Sequence, residues 1–161
     1  MLVSPLRISS QTLHDLEEHL LLFFTGYARN AESMLEDQKA RSEKDESAML
    51  DNLHSIAQIG IKVREALEAG DTLRFAALMH EHWELKRGRT AGMSTDHIDR
   101  WYAAGRASGA LGGKLVGAGA GGFLMFYTSD PPALRAAMTK EGLTQLRFTF
   151  DHDGSTVIVR D

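Results

Sequence analysis

The chain has 161 residues, a formal charge of −4 and 43% hydrophobic residues. That suits one domain with a real core and excludes disordered and collagen-like classes. It contains no cysteine, which excludes a disulfide framework, a thiolate zinc site and a cysteine nucleophile. In chain order, His19–Gly26 ("HLLLFFTG") is a continuous apolar run ending at a glycine; its length suits a strand buried on both faces, while periodicity alone leaves a helix open. The following "ARNAESMLEDQKARSEKDE" is rich in helix formers and in charge of both signs, as on a solvated helix face. Its part from Glu36 to Glu46 is expected to be the weakest-packed region.

Met49, Leu53, Ile56, Gly60, Val63 and Leu67 recur at spacings of three and four, which predicts a helix over 46–69 with one apolar stripe. Gly70 can stop it and Asp71 can cap the next helix. Phe75, Leu78, Met79 and His82 carry that second helix, and the short link predicts an antiparallel hairpin. Ser94 or Thr95 can cap a further helix with Ile98, Trp101 and Gly105 on one face. "KLVG" and "FLMFYTS" read as two strands joined by small residues. "DPPALRAAMTKEG" reads as a helix with prolines in its first turn. "LRFTFDHDGSTVIVR" alternates on both sides of an Asp-His-Asp-Gly turn and predicts a hairpin. The sum is an α+β fold: a ferredoxin-like antiparallel sheet with a helical hairpin and further helices packed on one face.

Gly117, Ala118, Gly119, Ala120, Gly121 and Gly122 form the stretch with the most chemical content. Amides without bulky side chains can make an anion-binding nest. Glycines between strands also mark bends and close packing. A P-loop needs Gly-Lys-Ser/Thr after its glycines, whereas Lys114 precedes these and Phe123 follows. A dinucleotide fingerprint needs a helix next, whereas "FLMFY" is strand-like. Spacing alone therefore leaves two readings open, an anion-binding loop and a structural hairpin.

Taken with its neighbours, "KLVGAGAGGFLMFY" resembles the third signature motif of the GHMP kinase superfamily, in the form of its heptose 7-phosphate kinase branch. "PLRISSQTLHDLEEHLLLFFTGYARNAESMLEDQ" and "MHEHWELKRGRTAGMSTDHIDRWYAAGRASGALGGKLVGAGAGGF" resemble the same branch, so the likeness covers nearly the whole chain. Ala120 departs from the glycine common there, but is still small. The resemblance implies a loop at a domain interface that shapes the phosphate-acceptor side and steadies an ATP loop of the other domain. No Gly/Ser-rich ATP loop occurs here. The expectation is thus a single C-terminal domain over residues 1–161, without the N-terminal ATP-loop domain and without useful kinase activity of its own.

The complete kinase would use ATP and Mg²⁺, and neither is expected to bind tightly to this chain alone. A sugar phosphate is the expected substrate, with an N-terminal kinase domain or a second copy as possible partner. Arg29 and Lys86 are the candidates for holding its phosphate, Arg by a bidentate fork and Lys as a point charge. Each also reads as an ordinary solvated cation, and Lys114 as a strand-end surface lysine. The alternative function is a standalone module that binds a ligand or oligomerises without catalysis.

Other constellations carry less. His80 and Glu84 are four apart, but "MHEHWE" lacks His-Glu-x-x-His spacing. Asp151, His152 and Asp153 suit a hairpin turn. Asp96 and Asp99 complement a helix N-terminus. Trp83, Trp101 and Tyr102 are spaced for core packing. No basic run marks a nucleic-acid surface, and no apolar run is long enough to span a membrane. With no signal peptide at the N-terminus, the expected location is cytoplasmic.

Overall fold

A computed structural model describes residues 5–26, 46–89, 93–117 and 121–151. Its elements are α1 (Ser10–His19), β1 (Leu20–Phe24), α2 (Glu46–Glu68), α3 (Thr72–Arg89), α4 (Asp96–Ala107), β2 (Ala110–Val116), β3 (Phe123–Thr128), α5 (Pro131–Lys140) and β4 (Thr144–Leu146). The four strands lie in the order β2-β3-β1-β4, and each pair is antiparallel. That order makes the expected α+β, ferredoxin-like sheet.

Alternation along the strands sorts the core. Leu21, Phe23, Leu115, Leu124 and Phe126 share one face and bury against Trp83, Ile98, Trp101, Tyr102, Leu134 and Met138. Each such side chain contributes about 1.5–3 kcal/mol by leaving water. Helices α4 and α5 build this layer, whereas the hairpin expected on the same face packs mainly toward the other one. Residues of the opposite parity, Leu20 and Tyr127, meet Leu16, Leu67, Ala76 and Met79. Helix α3 therefore reaches both sets, with Trp83 in one cluster and Ala76 and Met79 in the other.

It does so by lying against edge strand β2. At Gly112 an added Cβ would fall 1.7 Å from the Ala76 carbonyl oxygen, so only glycine permits this approach. The register slips between Ala110 and Gly112, leaving Leu111 as the extra residue of a bulge. Tyr102 fastens the same strand from α4, its hydroxyl donating to the Gly113 carbonyl at 3.1 Å. The hydroxyl proton being spent there, the oxygen accepts from His80 Nδ1 at 2.8 Å.

Tyr127 ties a third helix in. Its hydroxyl stands 2.8 Å from Asp15 Oδ2 and 2.8 Å from Thr72 Oγ1. With one proton to give, it donates to the carboxylate and accepts from the threonine. His19 Nδ1 lies 2.8 Å from the Thr128 carbonyl oxygen, which can only accept, so that nitrogen carries a proton. Burial pushes both tyrosines up to about 12.

Several local expectations hold. Gly70 ends α2 at φ 72°, and Asp71 Oδ1 accepts from the Arg74 amide at 2.9 Å. Thr95 rather than Ser94 caps α4, and Asp130 caps α5. Others need correction. Helix α1 precedes the first strand, capped by Ser9, where no helix is expected from the apolar run alone. The stripe on α2 is rotated: Leu53 is 47% exposed, whereas Ile59 and Ala66 are buried against Leu78, because α2 turns that side toward α3. The closing strand is short, Thr144–Leu146, and residues 147–151 continue without regular structure. The second arm of that hairpin, with His152 and Asp153, lies outside the described residues, as does the charged stretch up to Asp45. Among the described residues, no helix is long and apolar enough to cross a membrane.

Two expected outcomes follow from this packing. Gly112→Ala lowers stability by about 1–3 kcal/mol, the range for overpacking, while Gly88→Ala, where an added Cβ meets nothing within 4 Å, does not; thermal melting of both variants checks this. Unfolded tyrosine titrates near ~10 and these two near 12 in the fold. Their contribution is complete below about pH 10 and is lost as pH rises toward 12. Urea unfolding across that range, with tyrosinate absorbance read in parallel, shows the fall, and it flattens in the Tyr102→Phe/Tyr127→Phe double variant.

Candidate functional site

The small-residue loop joins β2 to β3 across the end of the sheet where β1 also stops. Gly117 has φ 132° and Gly122 φ 113°, a region side-chain-bearing residues rarely enter. The two glycines close the loop neck. An added Cβ on Gly122 would stand 2.4 Å from the Val116 carbonyl oxygen, and one on Gly117 3.0 Å from that of Gly121. Ala118, Gly119 and Ala120 lie outside the described residues.

Thr25 holds this neck from the end of β1. Its hydroxyl donates to the Gly122 carbonyl at 2.9 Å and accepts from the Gly122 amide at 3.0 Å. The Thr25 amide donates to the same carbonyl at 3.0 Å. Thr25 is 3% exposed, so a hydrogen bond missing here would leave a polar group away from water. Two stretches far apart in sequence, "FTG" and "GGF", thus become one structure. The Gly122 amide is engaged by Thr25, so Gly122 acts as the anchor of the loop. Next to the neck, Phe24 and Phe123 are cross-strand partners with ring centroids 5.3 Å apart, and Phe24 is 41% exposed.

Lys86 is half-buried on α3. Ala76 meets Gly112, and Met79 and His82 line the same cavity as Lys114. Helix α3 and strand β2 therefore run side by side in one sense. From Ala76 to Lys86 the helix rises about 15 Å, and from Gly112 to Val116 the strand rises about 13 Å. Lys86 accordingly lies toward the loop end of β2. Nearby, Arg87 bridges Glu84 and Asp99 at 3.4 Å each, and Ser94 donates to Asp99 at 2.8 Å. Arg29 falls outside the described residues.

Lys114 corrects its expectation. It is partly buried beneath the helical hairpin, and desolvation lowers its pKa from the ordinary lysine value. Neither spacing nor charge signalled this; the register that puts Lys114 opposite Met125 does. Among the described residues, no group of three or more His, Cys, Asp or Glu side chains is placed to hold a metal ion. His80 instead serves Tyr102.

Known proteins resemble this chain along most of its length. The family model "GHMP kinases C terminal" matches residues 63–143, just over half of it. A D-glycero-alpha-D-manno-heptose 7-phosphate kinase of Campylobacter jejuni is 33% identical over 158 residues, covering 96% of this chain and 45% of its own length. A bifunctional fucokinase/GDP-fucose pyrophosphorylase of Arabidopsis thaliana is 29% identical over 80% of this chain and 12% of its own. The chain thus spans less than half of each curated relative. The crystal structure of L. major mevalonate kinase with R-mevalonate superposes with a TM-score of 0.68 at 25% identity, over 76% of this chain and 37% of that one.

Thr25→Val keeps the shape of the side chain and removes both hydroxyl bonds. It is expected to cost about 1–3 kcal/mol, the range for leaving buried polar groups unsatisfied, and to speed hydrogen exchange at the Gly122 amide. Thr25→Ser retains most of both. Urea unfolding with amide exchange on the three proteins measures this.

Proposed function

Because the chain belongs to the GHMP kinases C terminal family, we propose that it forms the acceptor-side half of an ATP-dependent kinase acting on a sugar phosphate. The observation that carries this reading is the Thr25–Gly122 clamp. It gives the small-residue loop a fixed neck at the sheet end, as a positioning element requires. Phosphoryl transfer depends on placing the reactants and neutralising charge, not on covalent chemistry by the protein. In this reading the residues from Gly117 to Gly122 shape the edge of the acceptor site. Lys86, and Arg29 beyond the described residues, supply positive charge for the substrate's own phosphate.

The relative in Campylobacter jejuni is a heptose 7-phosphate kinase, which supports a heptose phosphate as substrate. ATP and Mg²⁺ would be bound chiefly by a second domain or partner chain. The Mg²⁺ would arrive with the nucleotide, whose phosphates supply part of its oxygen ligands. Exposed Phe24 beside Phe123 at the loop neck favours a contact with such a domain, because an aromatic pair next to a site is a natural interface anchor. The same apolar pair would serve a second copy if the chain is a non-catalytic oligomerising module.

Calorimetric titration of the 161-residue chain with a heptose 7-phosphate and, separately, with Mg-ATP distinguishes the two. The expected result is binding of the sugar phosphate without tight binding of Mg-ATP. Lys86→Ala should weaken it about tenfold, the value of one hydrogen bond to a charged group. Absence of sugar-phosphate binding, together with a stable oligomer by sedimentation, overturns the kinase reading in favour of the oligomerising module.

A further inference from the structure

Between the helical hairpin and the sheet lies a cavity of about 270 Å³ that the reading above does not use. Its wall is almost wholly apolar: Ile56, Ile59 and Val63 from α2, Phe75 and Met79 from α3, and Met125 from β3. One charged group enters it, Lys114 of β2, the cross-strand neighbour of Met125. No ion pair or hydrogen bond to the Lys114 ammonium occurs among the described residues. His82 is the other titratable group in the wall.

A lysine on this face could have been any residue that packs, and a cation is costly to place among aliphatic side chains without an anion. Burial lowers the Lys114 pKa, and among the described residues no carboxylate acts to restore it. A second feature points the same way. Gly60 sits inside the 23-residue helix α2, where glycine weakens a helix relative to alanine. An added Cβ there meets nothing within 4 Å, so no steric demand explains it. Gly60 lines this cavity and is itself exposed, so it stands at the cavity's solvent edge.

We propose that the cavity binds a small amphiphilic carboxylate of medium chain length, its charge on the Lys114 ammonium and its chain among the aliphatic side chains of α2 and α3. At ~30 Å³ per non-hydrogen atom the space holds about nine such atoms, close to the size of an eight-carbon acyl anion with its two carboxylate oxygens. The carboxylate supplies the missing counter-charge, and the chain displaces water from an apolar wall. The site lies beneath the hairpin, separate from the loop neck, so it does not depend on the kinase reading.

The test uses the 161-residue chain with sodium octanoate, octanol and acetate as probes, followed by amide chemical-shift mapping and calorimetry. Octanoate is expected to bind with shifts centred on Gly60, Met79, Lys114 and Met125, while acetate does not bind. Lys114→Met keeps the apolar stem and should weaken octanoate roughly 10- to 100-fold, bringing it level with octanol. Gly60→Leu fills the mouth, should raise the melting temperature and should abolish octanoate binding in a protein that is demonstrably folded. Octanoate that fails to bind at millimolar concentration overturns the proposal. So does binding that Lys114→Met leaves unchanged, or shifts that map elsewhere.

Discussion

The contact between the Ala76 carbonyl and the Cα of Gly112 sets the distance between α3 and β2, and most of the remaining structure inherits that distance. A helix so close to an edge strand covers backbone that would otherwise stand open to pairing. It also delivers side chains to both sides of the sheet: Trp83 to the cluster under α4, and Ala76 and Met79 to the cluster under α1. The side-by-side course of helix and strand then carries Lys86 toward the loop and suspends α2 over Lys114.

The polar groups reinforce this arrangement rather than compete with it. Tyr102, Tyr127 and Thr25 each join elements distant in sequence, and each satisfies backbone or carboxylate partners with short bonds. The two tyrosine contacts join helices to the sheet, and the Thr25 contact closes the sheet's end. Hydrophobic burial fixes how much surface is covered, whereas directional bonds fix which register and which loop conformation result.

Much of the fold was legible because it rests on local signals. The strands of "FLMFY" and "LLLFF", the stop at Gly70, the cap at Asp71 and the buried Trp83, Trp101 and Tyr102 follow from periodicity and turn chemistry. Helix α1 escaped because its polar residues conceal a buried pair, Thr12 and Leu16, too sparse to make a stripe. The face of α2 escaped because Leu53 and Ile59 are equally apolar, and only the approach of α3 chooses between them. At the candidate site, the glycine loop was visible as composition. Its anchor was not, since a single threonine carries no periodic signal. Lys114 was misjudged because a charge says nothing about the strand face it occupies until the register is known.

The placement of β1 has a consequence for how the protein is made. This central strand, Leu20–Phe24, pairs on one side with residues 123–127 and on the other with residues 144–146. Its partners are therefore synthesised about a hundred residues later, and at ~5–20 residues per second the wait is on the order of ten seconds. Throughout that interval five consecutive apolar residues are exposed without a sheet to join. The nascent chain must be kept from aggregating until its last third emerges, and the high separation of these contacts makes closure of the sheet a slow step. The Thr25–Gly122 bonds require β1 and β3 to have met, so the neck of the loop cannot take its shape before that step.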